Sequence, residues 1–165
     1  NADRSMRKII FLDIDGVLNT ERNCRALVAE GRPWRDECGP FFDEEAVRNL
    51  RTIVEGTGAE VVITSSWRHL GEDRMQELWA RRKMPGILAG ITPEIAYDCY
   101  AMRGQEIAAY LAQHVEDGEA CRYVIIDDGC DFLPEQIPFC VFTDPDVGIT
   151  DEDAQKAVIV LKRVL

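Results

Sequence analysis

Residues 8–19 read Lys8-Ile9-Ile10-Phe11-Leu12-Asp13-Ile14-Asp15-Gly16-Val17-Leu18-Asn19, an apolar run that ends abruptly in two acids and a glycine. Four consecutive hydrophobic residues, two of them β-branched, suit a parallel strand covered on both faces. Such a strand delivers two carboxylates to its C-terminal tip, and in open α/β sheets ligands bind in the crevice beyond the strand ends. Asp13 and Asp15 stand two apart, so an extended backbone would point both to one side, but Gly16 permits a sharp departure that re-aims the second acid. Carboxylates this close repel unless a cation or a shared proton relieves them. A hard divalent ion such as Mg²⁺, which prefers oxygen ligands, meets that need.

Outward from this strand, the segment Thr20 to Phe42 carries Gly31, Pro33, Gly39 and Pro40 as breakers and reads as a flap with one short helical turn. Asp43 suits a helix N-cap, with Val47, Leu50, Ile53 and Val54 at helical spacing until Gly56 and Gly58. Val61, Val62 and Ile63 mark a second buried strand over Glu60 to Thr64. A second helix over Leu70 to Lys83 carries Met75, Leu78 and Trp79 on one face, and Pro85-Gly86 ends it. Ile87, Leu88 and Ile91 supply a short strand, and Arg103 to Val115 forms a third helix with Ile107, Ala108, Leu111 and Val115 on one face. Tyr123 to Ile126 is a third buried strand, ending in Asp127-Asp128-Gly129; Pro138 to Phe142 gives an outer one. Asp151 caps a last helix carrying Ala154, Ala157, Val158, Leu161 and Val164. Strands alternating with helices favour a mostly parallel sheet with right-handed crossovers.

The chain has 165 residues, enough for one domain with a sizeable core. The expected domain spans 6–165 with the flap at about 20–42, and Asn1 to Ser5 ahead of Met6 read as a tag remnant or disordered leader. No segment approaches the roughly 18 uninterrupted apolar residues of a membrane span, and the N-terminus lacks the order of a signal peptide. A cytoplasmic location follows by default, and the composition is compatible with a monomer without fixing the oligomeric state. Six cysteines form no CxxC pair and read as free thiols. The net charge of -11 argues against broad, sequence-independent nucleic-acid binding. Arg22, Arg25, Arg32 and Arg35 nevertheless cluster in the flap, either as a solvated loop balancing acidic neighbours or as a local basic patch.

Three strand tips carry chemistry: Asp13 with Asp15, Thr64 with Ser65 and Ser66, and Asp127 with Asp128. A parallel sheet brings all three to one edge, where acids and hydroxyls meet in one crevice. Four carboxylates there require a cation.

Residue by residue, these motifs resemble the haloacid dehalogenase superfamily of phosphotransferases. Asp13-Ile14-Asp15-Gly16-Val17-Leu18 looks like its first motif, Val61-Val62-Ile63-Thr64 its second, Arg103 at a helix start its basic third, and Ile125-Ile126-Asp127-Asp128 its acidic fourth. The resemblance implies a Rossmann-like α/β fold, a mostly parallel sheet sandwiched by helices. It also implies a phosphatase with Asp13 as nucleophile and Asp15 as general acid and base. Thr64, with Ser65 as understudy, would bind phosphoryl oxygens, and Arg103 would offset the charge of phosphate and nucleophile. Mg²⁺ would be held by the Asp13 carboxylate, the Asp15 main-chain carbonyl and an acid of the Asp127/Asp128 pair, with Asp128 aligned as the direct ligand and Asp127 acting through water or orienting its neighbour. Asp131 would cap the turn that follows it.

Small-molecule members of this superfamily often carry a cap domain after the first motif or between the second and third. Neither insert here has room for one, so the crevice should be open apart from the flap. The run Gly58 to Arg68 with its SSWR sequence, Arg103-Gly104-Gln105-Glu106-Ile107, and Val147-Gly148-Ile149-Thr150 are similar to the phosphatase-type domains of Swiss Army Knife RNA repair proteins. That resemblance implies a phosphorylated substrate ending a bulky molecule, such as a polynucleotide terminal phosphate, with a nucleotide or sugar phosphate as the alternative. Arg68 would reach the phosphate or a neighbouring nucleotide, or form a surface ion pair, and Trp67 is read either as core packing or as a stacking face.

Two other classes gather acids at strand tips. A receiver domain places its acid pair at the first strand and its single phospho-acceptor on a middle strand, whereas here DxDG comes first and the second pair comes late. A metal-dependent nuclease would use clustered acids for two ions, but DxDG with a strand-tip threonine fits phosphoryl transfer better.

Overall fold

The computed structural model describes residues 6–95 and 100–163. Its centre is a five-stranded, wholly parallel sheet built from β1 (Arg7–Leu12), β4 (Glu60–Ile63), β5 (Leu88–Ile91), β6 (Cys121–Asp127) and β7 (Cys140–Phe142), in the order β5-β4-β1-β6-β7. The chain runs outward from β1 on one side, then crosses back to β6 on the other. The direction of winding therefore reverses between β1 and β6, where an α/β sheet opens its crevice. The Leu12↔Ile63 and Leu12↔Ile126 pairings set the register. One residue further on, the ladder continues through Thr64 N to Leu12 O (2.9 Å) and Asp13 N to Ile126 O (3.0 Å).

Alternate residues of β1 feed two cores. Ile10 and Leu12 pack with Leu50, Ile53, Ala157 and Leu161 beneath α2 (Glu44–Thr57) and α5 (Asp151–Lys162). Ile9 and Phe11 pack with Ile107 and Tyr110 of α4 (Met102–His114) on the opposite face. The β1 residues Ile9 to Leu12 are fully buried, as expected of a strand covered on both sides. Among the described residues no helix is long and apolar enough to cross a membrane.

Several boundaries differ from the sequence expectation. The flap holds a nine-residue helix, α1 (Glu21–Ala29), and a two-residue hairpin of β2 (Arg35–Asp36) and β3 (Gly39–Pro40), rather than one helical turn. Thr20 starts α1 by accepting from Asn23 N, and no glycine or proline interrupts it before Gly31. Gly56 lies inside α2, which stops at Gly58, where φ is +71°. Leu70 closes a 3₁₀ turn over Ser66–Leu70, so α3 (Glu72–Arg81) begins later than its apolar pattern. Pro138 and Phe139 belong to a second 3₁₀ segment, Pro134–Phe139, and the outer strand begins at Cys140. Thr150, not Asp151, caps α5, in a reciprocal pair with Asp153. Asp131 does not cap the turn after it: its carboxylate and carbonyl accept from Arg103 N (3.2 Å) and Gly104 N (3.0 Å), anchoring the start of α4. Cys24, Cys38, Cys121, Cys130 and Cys140 are free; Cys99 and Val164 lie outside the described residues.

Candidate active site

Asp13 leaves β1 and Asp127 ends β6, so the register sets them side by side. Asp128 follows, and oxygens of all three carboxylates lie within 4.8 Å of one another. Asp13 is 7% exposed, and its Oδ1 accepts from Ile14 N (2.8 Å). Asp127 is 5% exposed, and its Oδ1 accepts from Gly129 N (2.8 Å). Burial, reinforced by the Asp127 charge, pushes the Asp13 carboxyl above the ordinary carboxylate range, while Arg103 pulls it back. Burial likewise raises Asp127, against the Gly129 N–H and Arg103. Two buried acids pushed this way are poised to exchange protons for a cation.

Gly16 makes the crowding possible. Its φ is +79°, and a Cβ there would collide with the Asp128 carboxylate. The turn is pinned from the other side by Thr143 Oγ1, which donates to Gly16 O (2.7 Å), and by Ile149 N, which donates to Val17 O (3.1 Å). Gly148, with φ +69°, lets the Val147-Gly148-Ile149 segment approach so closely, since a Cβ there would strike Val17 O. The turn swings Asp15 out to an exposed position, where its Oδ1 accepts from Asn19 Nδ2 (2.9 Å) and Trp67 Nε1 (3.0 Å).

Around the acids stand groups suited to an anion. Arg103, in the first turn of α4, places Nη1 3.5 Å from Asp13 Oδ1 and 3.6 Å from Asp127 Oδ2. Thr64 is fully buried beside Asp13, and its hydroxyl has no hydrogen-bond partner among the described residues. Arg103 Nη1 is also buried, at ion-pair distance from those two carboxylates but without a hydrogen bond among the described residues. An unpaired buried hydroxyl is costly, and Thr64 Oγ1 is free to donate to an acceptor placed beside it. Ser65 differs: its Oγ accepts from Trp67 N (3.1 Å) and caps the 3₁₀ turn.

Arg68 forms an ion pair with Glu106 of α4. Its Nη1 donates to Glu106 Oε1 (3.0 Å) and its Nη2 lies 2.6 Å from Oε2. Burial pushes the Glu106 carboxyl up and Arg68 opposes it. Trp67 is 8% exposed against Phe42, with ring centroids 6.0 Å apart, so its ring is core rather than a stacking face. In the flap, Arg22 pairs with Asp43 and Glu45, Arg25 with Asp146, and Arg32 with Glu30, while Arg35 lies over Trp34. Three of the four clustered arginines therefore balance neighbouring acids. A groove of about 920 Å³ runs along α1 and α2, lined by Phe41, Arg51 and Lys83 among others rather than by the acidic tips.

Asn19, the Trp67 N–H and Glu106 are site groups that the sequence reading did not assign. Asn19 stands four residues after Asp15 across a glycine turn, and Trp67 stands two after a serine able to cap a turn; those spacings were the available signals. Glu106 is three residues after Arg103, hence on the same helix face, and that placement alone could have suggested a partner for the Arg68 cation.

Acids at the tips of β1 and β6, a hydroxyl at β4 and a cation at the start of α4, on a parallel sheet of this order, define a haloacid dehalogenase fold. Within that class residues 9–154 match the HAD domain in Swiss Army Knife RNA repair proteins, and the chain belongs to that family. No curated protein and no solved structure matches it.

Proposed function

We propose that this protein is a Mg²⁺-dependent phosphomonoester hydrolase that works through an aspartyl-phosphate on Asp13. The observation that carries the reading is the buried Thr64 hydroxyl, which has no hydrogen-bond partner among the described residues, together with the Arg103 guanidinium 3.5 Å from the Asp13 carboxylate. A phosphoryl group between them would receive both hydrogen bonds while its phosphorus faces Asp13.

The donor set suits the cation. Oxygens at about 2.1 Å from an octahedral Mg²⁺ stand about 3.0 Å apart when adjacent and about 4.2 Å apart when opposite. Three carboxylates already within 4.8 Å need only a small inward shift. Asp13, Asp127 and Asp128 would hold the ion with the main-chain carbonyl of Asp15. Bound Mg²⁺ supplies charge neutralisation of the phosphoryl oxygens and of the nucleophile.

The residues then divide the work. An Asp13 carboxylate oxygen attacks phosphorus; the bond from phosphorus to the leaving oxygen breaks, and Asp15 gives that oxygen its proton. Asp15, now ionised, takes a proton from water as the water oxygen attacks phosphorus. The bond from phosphorus to Asp13 breaks, releasing orthophosphate and restoring both acids.

For the substrate, the family and the uncapped strand edge favour a phosphate ending a bulky molecule, specifically a polynucleotide terminus. Arg51 and Lys83 have no ion-pair partner among the described residues, but the groove they line along α1 and α2 also carries Glu30, Asp43, Glu44 and Glu45, so its charge is mixed. The strongly acidic charge and the paired flap arginines favour the second reading, a nucleotide or sugar phosphatase. A panel of 3′- and 5′-phosphorylated oligonucleotides, nucleoside monophosphates, sugar phosphates and an aryl phosphate, assayed with Mg²⁺ and with chelator, decides. Mg²⁺-dependent turnover with the highest kcat/KM on an oligonucleotide end is expected. A higher value on a small phosphate ester replaces the polynucleotide reading, and no turnover of any ester overturns the phosphatase.

A further inference from the structure

We propose that Trp67 and Asn19 position Asp15 for its acid and base role, holding one carboxylate oxygen so that the other is presented to the leaving group; this rests on the phosphatase reading above. Asp15 sits exposed on a glycine turn, where an unrestrained carboxylate samples several rotamers. Here both donors converge on Oδ1, Asn19 Nδ2 at 2.9 Å and Trp67 Nε1 at 3.0 Å. A carboxylate oxygen offers two lone pairs, and both on Oδ1 are occupied. Oδ2 has no partner among the described residues, so it is the oxygen left free to meet the leaving group.

Trp67 is itself held rigidly. The Ser65 cap fixes its backbone, Phe42 packs against its ring, and Gly39 of the flap hairpin lies so close that a Cβ there would stand 2.7 Å from the indole. Gly39 has φ +117°, and Arg82 donates to the carbonyls of both Gly39 and Pro40 (3.0 and 3.3 Å). The flap hairpin thus serves as a wall behind the indole, and through it the flap fixes the direction of Asp15. In the first half-reaction Oδ2 gives its proton to the leaving oxygen as the bond to phosphorus breaks. In the second, the same oxygen takes a proton from the attacking water. Loss of orientation should cost most where the leaving oxygen is most basic, because a good leaving group departs without protonation.

Trp67→Phe removes the N–H and keeps an aromatic ring in the pocket; Asn19→Ala removes the second donor without touching the core. Turnover is measured with Mg²⁺ on an alkyl phosphate and on nitrophenyl phosphate. Each variant should lower kcat on the alkyl ester by roughly 10-fold or more, a fraction of the 10² to 10⁴ typical of general acid catalysis. The loss on nitrophenyl phosphate should be several-fold smaller, and KM for either ester should be little changed. Equal losses on the two esters in both variants, or no loss, overturn the proposal while wild-type turnover leaves the phosphatase reading intact. A wild-type protein with no turnover removes both. Independently of activity, one of the three tryptophan indole N–H resonances should move in Asp15→Ala; if none moves, the hydrogen bond is absent and the proposal fails.

Discussion

Arg68 and Glu106 form a buried ion pair, with Nη2 of the arginine 2.6 Å from Oε2 of a glutamate whose side chain is 2% exposed. The pair ties the turn after β4 to the helix that carries Arg103, so it braces the two elements flanking Asp13. Removing one member of a buried pair strands the other charge, which costs more than the pair contributes. Glu106→Ala should therefore lose about 3 kcal/mol of stability in urea unfolding, the lower end of the usual range for a buried partner because Arg68 is 13% exposed. Arg68→Leu combined with Glu106→Leu should recover most of it. A loss below about 1 kcal/mol in Glu106→Ala would mean that the pair is effectively solvated.

The raised carboxyls of Asp13 and Asp127 make stability depend on pH with a definite sign. An acid whose folded value exceeds its unfolded one binds more protons when folded, so its contribution is complete below the ordinary carboxylate range near 4 and is lost as pH rises through the raised values. Without a divalent ion, the melting temperature contribution of this site should fall from pH 5 to pH 8. Mg²⁺ competes with those protons, so it should stabilise strongly at pH 8 and weakly at pH 5. Melting curves in chelator and in Mg²⁺ at both values check this, and equal stabilisation at the two pH values would contradict it.

Much of this architecture was legible because burial writes itself into sequence. The runs at Ile9 to Leu12, Val61 to Ile63 and Tyr123 to Ile126 are continuous apolar segments, and each proved to be a strand covered on both faces. Polar strand-tip residues followed them directly, so Asp13, Thr64 and Asp127 could be expected to meet. Partnerships across long sequence distances were not legible. Trp67 reads as core from its bulk, yet its N–H finds Asp15 52 residues away. Arg68 reads as a phosphate contact or a surface ion pair, yet its partner is the buried Glu106, 38 residues on. The flap helix was obscured because none of its residues is buried, so no apolar stripe advertised it.

Gly16 is the backbone residue on which the acid cluster depends. Alanine there meets a left-handed φ of +79° and the Asp128 carboxylate at once. Gly16→Ala should destabilise the protein by roughly 1–3 kcal/mol and weaken Mg²⁺ activation by displacing Asp128. Unfolding and a Mg²⁺ titration of activity check the two effects, and a variant with unchanged metal dependence would show that Asp128 is dispensable as a ligand.

Covalent catalysis by Asp13, as proposed, is tested most directly by rapid acid quenching of the enzyme turning over a ³²P-labelled aryl phosphate in Mg²⁺. The predicted result is an acid-stable, alkali-labile label approaching one phosphate per chain, mapped to the peptide containing Asp13 and absent from Asp13→Asn, whose nearly isosteric side chain leaves the fold intact. Turnover with no trapped label, or label and activity retained in Asp13→Asn, would contradict it.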